Sequence, residues 1–159
     1  MATLHLKIPG IDGDSEADGY EGQIDLTSWS WGASQSGNMH LATGGAKGGS
    51  SVMDVNVTKA MDKASPNLMS ACCTGRHFTE DVVLTCTKSG DGQVRWLELT
   101  LKDTIISSIS PSSSEGEQGY ESMSLNFREY MMKFFPQEGE GAEGSSIDAG
   151  YDIRKQVKV

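Results

Sequence analysis

The sequence predicts a mainly β protein, a sandwich or small β-barrel of short strands with one α-helix and a long exposed loop. Three observations carry this prediction. Short segments that alternate apolar and polar residues recur along the chain, as is typical of half-buried strands. Turns separate these segments, and most of the 19 glycines lie between them. Only one segment has the start and stop signals of a helix, and 159 residues suit a single domain spanning 1–159.

About eight strands are predicted, each bounded by turn residues. They lie at 4–8, 24–35, 53–58, 82–87, 94–101, 103–110, 120–135 and 147–159. In the second strand the apolar phase shifts near Thr27, because Ile24 and Leu26 share one face and two tryptophans share the other. We expect a β-bulge or a sharp twist at that shift.

The single predicted helix begins after residue 64 and runs for about three turns. Ser65 is expected to cap its amino terminus, with Pro66 at the first helical position, where the missing N–H costs nothing. Gly75 suits the left-handed residue that ends a helix. Two loops stand out: an acidic surface loop over 10–22, and a glycine-rich, exposed loop over 36–51.

Composition argues against several classes of function. The net charge of −9 and the pI of about 4.7 disfavour binding to nucleic acid or to an anionic membrane surface. No apolar run approaches the roughly 20 residues of a membrane span, so no membrane insertion is expected. The three cysteines, Cys72, Cys73 and Cys86, do not make a disulfide scaffold and indicate folding in a reducing compartment. The amino terminus lacks the pattern of a cleaved signal peptide.

Residues that could carry chemistry are few and scattered. His5, His40 and His77 have neither the spacing of a zinc site nor a cysteine at ligand distance along the sequence. The vicinal cysteines lie at the helix end, where the helix dipole disfavours a reactive thiolate. Gly44–Ser50 superficially resembles a phosphate-binding loop, but its lysine is not followed by Ser or Thr. We therefore expect no enzymatic activity, no metal and no cofactor.

Several segments, in order along the chain, resemble the Hcp family, the haemolysin-coregulated proteins. The run Trp29–Gly37, which reads WSWGASQSG, resembles the family signature. Lys63–Leu68 and Gly75–His77 resemble the entry and exit of the family's helix. Leu125–Phe127 and Gly150–Arg154 are similar to later family positions, so that the resemblance covers nearly the whole chain.

The resemblance implies a small β-barrel or sandwich of two antiparallel sheets with one flanking α-helix and a long projecting loop. It also implies a tube-building role in a type VI secretion system. Such subunits form hexameric rings with a wide lumen, and the rings stack into a tube inside a contractile sheath and behind a spike. Sheath contraction expels the tube with small effectors inside it. The implied partners are further copies of this chain, the spike, the sheath and small secreted effectors. The implied location is the bacterial cytoplasm during assembly and the exterior, or a target cell, afterwards.

Two other interpretations compete with that of a tube subunit. A carrier or chaperone of the same fold would bind effectors and never assemble, so ring formation separates it from the tube subunit. A tube protein fused to a toxin enzyme is not expected, because the sequence leaves no room for a second domain after the last family segment.

The site residues follow from strand phase and from the resemblance. Trp29 and Trp31 are expected to be core anchors, since large rings are most cheaply buried. Ser28 and Ser30 then face the other side and are candidates for the wall of the lumen, with Ser30 the best single candidate for contact with cargo. An ordinary solvent-facing serine is the alternative. The candidates for subunit contact in the long loop, which is otherwise a free surface loop, are Asn38, Met39, His40, Leu41 and Lys47.

Overall fold

The fold consists of short strands and a single helix. A computed structural model describes residues 3–36, 49–90, 92–138 and 142–159. The strands are β1 (Leu4–Lys7), β2 (Ile24–Asp25), β3 (Ser28–Ser30), β4 (Ala33–Gln35), β5 (Ser50–Val52), β6 (Val55–Ala60), β7 (Val82–Gly90), β8 (Gly92–Lys102), β9 (Ile105–Ser112), β10 (Tyr120–Asn126), β11 (Glu129–Phe134), β12 (Gln137–Glu138), β13 (Ala142–Glu143), β14 (Ile147–Asp152) and β15 (Val157–Lys158), and the helix is α1 (Ser65–Thr74).

Two antiparallel sheets form the body of the protein. One has seven strands in the order β15-β14-β11-β8-β7-β1-β2, and the other has four in the order β3-β6-β10-β9. Two hairpins, β4-β5 and β12-β13, lie outside both sheets. The predicted class, mainly β with two antiparallel sheets and one helix, is confirmed. The sheets pack as a sandwich and do not close into a barrel.

Two predicted strands pass from one sheet to the other. The predicted strand 24–35 leaves the seven-stranded sheet after β2, and the Thr27 N–H donates to the Thr58 carbonyl of the four-stranded sheet. The apolar phase shift near Thr27 marks this corner, which is a change of sheet. The predicted strand 120–135 divides in the same way into β10 and β11. The final predicted strand also divides, because the positive φ of 56° at Gln156 turns the chain before β15.

The core lies between the two sheets. Leu6, Leu84 and Leu99 contribute from the larger sheet, and Val57 and Met123 from the smaller one, and all five side chains are buried. Each buried aliphatic side chain of this size stabilises the fold by about 2 kcal/mol relative to an exposed one. The strand alternation seen in the sequence therefore corresponds to one face turned into this core.

The acidic loop 10–22 covers part of the outer face of the larger sheet. Tyr20 stacks on the ring of His5 with centroids 4.5 Å apart, and His5 is fully buried although it lies on the polar phase of β1. The His5 Nδ1 atom lies 3.3 Å from Oδ1 of Asp25. Ile11 and Ser15 of the loop are buried as well. The loop is therefore a packed cover as well as an acidic surface.

The amino terminus of α1 differs from the prediction. The N-cap residue is Ala64 and no side chain caps it in the expected manner, so the assignment of Ser65 as the cap is wrong. Pro66 lies within the first two helical residues, next to its predicted position. The Ser65 hydroxyl instead donates to Glu121 Oε1 at 2.7 Å and accepts from the Asp62 N–H at 3.0 Å. A buried partner on β10 competes successfully for the hydroxyl. At the other end Gly75 has φ 63°, so the predicted left-handed ending is confirmed.

A buried ion pair anchors the helix entry to the four-stranded sheet. Lys59 on β6 is fully buried, and its Nζ lies 2.5 Å from Glu121 Oε1 and 2.9 Å from Asp62 Oδ1. Both Lys59 and Glu121 occupy the apolar phase of their strands and are cross-strand neighbours. Burial of two charges is tolerated because each has its partner and further hydrogen bonds.

Candidate functional site

The outer face of the four-stranded sheet is lined with small polar side chains. The ladder pairs place these residues in two rows that cross all four strands. One row is Ser28, Thr58, Ser122 and Ser110, and the other is Ser30, Asn56, Ser124 and Ser108. None of these eight side chains is charged, and most are exposed. We call this surface, defined by the two rows, the hydroxyl face.

The predicted lumen candidates lie on this face. Ser28 and Ser30 are both exposed on β3, with Trp29 between them directed toward the core. Ser30 lies opposite Asn56, and Ser28 opposite Thr58. The structure thus brings the two serines together with hydroxyls from three other strands.

A β-bulge at Ser107 adds a further hydroxyl beside the second row. The register between β9 and β10 shifts between Ser124 and Leu125, so that Ser107 and Ser108 both lie against Ser124. The oxygen of Ser124 is 2.7 Å from that of Ser107 and 2.5 Å from that of Ser108. The three hydroxyls form a continuous chain across two strands.

Asp54 ends this chain at the edge of the hydroxyl face. Its Oδ2 accepts a hydrogen bond from Ser107 Oγ at 2.6 Å, and its Oδ1 accepts one from Asn126 Nδ2 at 2.8 Å. Both donors are neutral, and Asp54 has no ion pair with another described residue. It is half-buried and held in one orientation.

The opposite face of the sheet contains the tryptophan region. Trp29 and Trp31 are both half-buried and pack against the core. Trp31 stands edge-on to Tyr130 with centroids 4.7 Å apart, and its Nε1 donates to the Met53 carbonyl at 2.8 Å. Burial raises the pKa of the Cys86 thiol to about 11, and a hydrogen bond with the Trp29 side chain partly offsets that rise. This thiol is protonated and unreactive at neutral pH.

The predicted contact residues of the long loop lie outside the described residues. These are Asn38, Met39, His40, Leu41 and Lys47. The flanking β4-β5 hairpin is described, and its side chains are exposed apart from the half-buried Val52. The interface role of the loop stays a prediction.

The remaining chemistry-bearing residues do not converge. Across 3–36, 49–90, 92–138 and 142–159, no three side chains of His, Cys, Asp or Glu are grouped so as to hold a metal ion. Cys73 is exposed, Cys72 is half-buried and His77 is exposed. No helix within those ranges is long and apolar enough to cross a membrane.

Comparison with known proteins assigns the family. A family model described as "Type VI secretion system effector, Hcp" matches residues 5–134, which is most of the chain.

This chain belongs to the Hcp family.

Relatives of known sequence or structure agree with this assignment. The chain is 38% identical over 158 residues to protein hcp1 of Pseudomonas aeruginosa, with 98% of each chain covered. Among solved structures, Hcp1 of Salmonella typhimurium is 30% identical with a TM-score of 0.80, and the alignment covers 100% of both chains. Hcp2 of the same organism is 30% identical with a TM-score of 0.74, covering 97% of this chain and 98% of that one. The sandwich is thus an Hcp fold, and the protein is a component of type VI secretion.

Sequence reasoning missed most of the hydroxyl face of this Hcp protein. Ser28 and Ser30 were recognised from strand phase, whereas Ser108, Ser122 and Ser124 were not. Their signal was present, because Ser122 and Ser124 occupy the phase opposite to Met123 and Leu125. The pairing that joins these serines to Ser30 depends on strand order, which the sequence pattern does not contain.

Proposed function

We propose that this chain is a structural subunit of the inner tube of a type VI secretion system. Subunits close into six-membered rings, the rings stack inside the sheath, and contraction expels them with small effectors held in the lumen. The observation that carries the proposal is the hydroxyl face, a neutral polar wall across a rigid sheet in a chain of the Hcp family. The role is structural, with no catalytic step assigned to any residue.

Ring closure needs two different surfaces that complement each other on neighbouring copies. The β11-β14-β15 edge of the larger sheet supports this requirement, because several of its apolar side chains are exposed. Phe134 and Ile147 are cross-strand neighbours at 46% and 68% exposure, and Val157 and Val159 on the last turn are exposed too. Exposed apolar side chains on the outer strands of a sheet favour contact with another protein surface. The β4-β5 hairpin and the long loop are the proposed second surface.

The hydroxyl face suits a wall that holds cargo weakly. Its exposed serine and threonine hydroxyls outside the hydrogen-bonded chain of Ser107, Ser124 and Ser108 can both donate and accept, which adapts them to many partners. A net hydrogen bond of this kind stabilises contact by only about 1 kcal/mol, so that several are needed and release is easy. We place Ser30 and Ser28 toward the lumen on this basis.

The first test is the assembly state of the purified protein. Light scattering combined with negative-stain imaging should show closed rings with an open centre and about six times the 17.0 kDa subunit mass. A monomer at all protein and salt concentrations would contradict the tube role and favour the non-assembling effector carrier.

The second test addresses the lumen wall. Ser30→Gln replaces a small hydroxyl with a bulky amide and should abolish co-purification of a co-expressed effector of the same system while rings persist. Ser114→Gln, in the exposed turn between β9 and β10, is the matched control. Equal effector recovery from both variants would remove Ser30 from the cargo surface.

A further inference from the structure

Asp54 and the hydroxyl chain that leads to it have a defined direction. Ser107 has one hydroxyl proton, and that proton is donated to Asp54 Oδ2. The contact between Ser107 and Ser124 therefore requires Ser124 to donate, and the contact between Ser124 and Ser108 requires Ser108 to donate. All three protons point toward the carboxylate.

This direction sets what the surface presents to an incoming group. Each of the three hydroxyls already donates its proton to the next member of the hydrogen-bonded series. The exposed oxygens of Ser107 and Ser108 can therefore act only as acceptors toward an incoming group, through their free lone pairs. Hydrogen bonds that are linked head to tail and end on an anion strengthen one another and increase the acceptor strength of the outer oxygens. The edge of the hydroxyl face is therefore a set of acceptors around one negative charge.

No positive charge within the described sheet neutralises this carboxylate. The two rows of the hydroxyl face are uncharged, and Lys59, the lysine of β6, lies on the opposite face, paired with Glu121. Two neutral donors already orient Asp54. Binding of a cation would therefore not include the entropy cost of fixing this side chain.

We propose that Asp54, with Ser107 and Ser108, is a subsite that binds a lysine or arginine side chain of a polypeptide cargo. The inference deepens the proposed function, and rests on it for placing this face toward cargo. The ammonium of lysine and the guanidinium of arginine donate hydrogen bonds and accept none, which matches a wall edge composed of acceptors. The surrounding neutral hydroxyls keep the total affinity low, so that one charge contact contributes selectivity without permanent capture.

The test measures binding of a fluorescently labelled lysine-containing peptide to the full chain by anisotropy, at low salt. The same peptide with acetylated lysines is the neutral reference. Asp54→Asn should weaken binding of the lysine peptide by about fivefold, the upper end for a partly exposed ion pair, and leave the acetylated peptide unchanged. Asp18→Asn removes the same charge from the exposed acidic loop and should change binding less than about twofold. Equal losses for Asp54→Asn and Asp18→Asn would overturn the proposal.

A second variant tests the contribution of the three hydroxyls to peptide binding separately from that of the Asp54 charge. It also keeps the proposal testable if Asp54→Asn does not fold. Ser108→Ala removes the exposed end of the chain and keeps Asp54, and it should weaken the lysine peptide by about twofold. Binding unchanged by Ser108→Ala, in a protein with unaltered thermal unfolding, would overturn the role of the hydroxyl chain. The assembly test is separate. Intact rings with equal losses for the two aspartate variants would refute only this subsite, and a monomer with a selective Asp54 effect would refute only the tube role.

Discussion

Glu121 and Asp54 are carboxylates associated with opposite faces of the same four-stranded sheet. Glu121 is 2% exposed and contacts Lys59 at 2.5 Å, with the Ser65 hydroxyl as a further donor. Asp54 is half-buried and is held by Ser107 and Asn126, both neutral. The interior carboxylate is neutralised within the chain, whereas the outer one is oriented and left charged.

The difference shows what each environment demands. An interior charge without a partner costs several kcal/mol, so Glu121 can persist only with Lys59 beside it. Water screens and solvates a carboxylate at the surface, so Asp54 needs no cation to be stable. A surface carboxylate fixed by neutral donors therefore remains able to bind a cation from another molecule.

The largest expected effect on stability comes from replacing Lys59, the buried cation that is paired with Glu121. Lys59→Met leaves Glu121 buried without a cation, and we expect the free energy of unfolding to fall by about 3–5 kcal/mol. Urea denaturation followed by circular dichroism measures this. The double variant Lys59→Met with Glu121→Leu replaces the pair by apolar groups and should recover most of the loss. A single variant that loses less than about 1 kcal/mol would show that the pair is not desolvated as described.

A smaller effect on stability is expected at Ser65, the residue that was predicted to cap the helix and instead contacts Glu121. Ser65→Ala removes a buried donor to Glu121 and should lower the free energy of unfolding by about 1–2 kcal/mol. In the Lys59→Met, Glu121→Leu background most of that cost should disappear, since the acceptor is gone. An undiminished cost in that background would show that the hydrogen bond from the Asp62 N–H, and not the one to Glu121, accounts for the contribution of Ser65.

The smallest expected effect appears only in acid, at Asp152. The Lys155 backbone N–H and the nearby Arg128 guanidinium lower the pKa of this carboxyl below its ordinary value of 3.8. The unfolded chain therefore binds the proton more readily than the folded one. The contribution of Asp152 to stability is full above pH of about 3.8 and is lost as pH falls through the lowered pKa.

The measurement is denaturant unfolding between neutral pH and strongly acidic pH. Asp152→Asn should show a flatter decline in stability below pH 4 than the parent chain. Asp81→Asn, which removes an exposed partner of Lys102 at 3.4 Å, is the control and should leave the decline unchanged. Parallel declines for the parent chain and Asp152→Asn would contradict the assignment.

Local patterns predicted much of the fold and part of the candidate site. Alternation located β1, β6, β7 and β8, and Gly75 marked the helix end, because these signals depend only on adjacent residues. Ser28 and Ser30 followed from the phase of Trp29. Lys59 and Glu121 also lie on the apolar phase of the sequence, beside Val57 and Met123, but they were not predicted as a pair because their pairing depends on strand order.

Features that depend on distant partners were not predicted. Phe127 keeps the alternation of β10, so nothing local shows that the chain changes sheets before β11. Ser65 has good capping chemistry, and only its distance to Glu121 explains why its hydroxyl is used elsewhere. The bulge at Ser107 depends on the register between β9 and β10, which no residue in Ser107–Ser110 reveals.

Two of the corners where the chain changes sheets have a mechanical consequence. One follows β2 and the other precedes β11, and they lie at opposite ends of the sandwich. Sliding one sheet along the other in either direction would therefore have to stretch the backbone at one of these corners. Load applied along the strands is carried by covalent bonds in addition to core contacts, so the two sheets move as one rigid block.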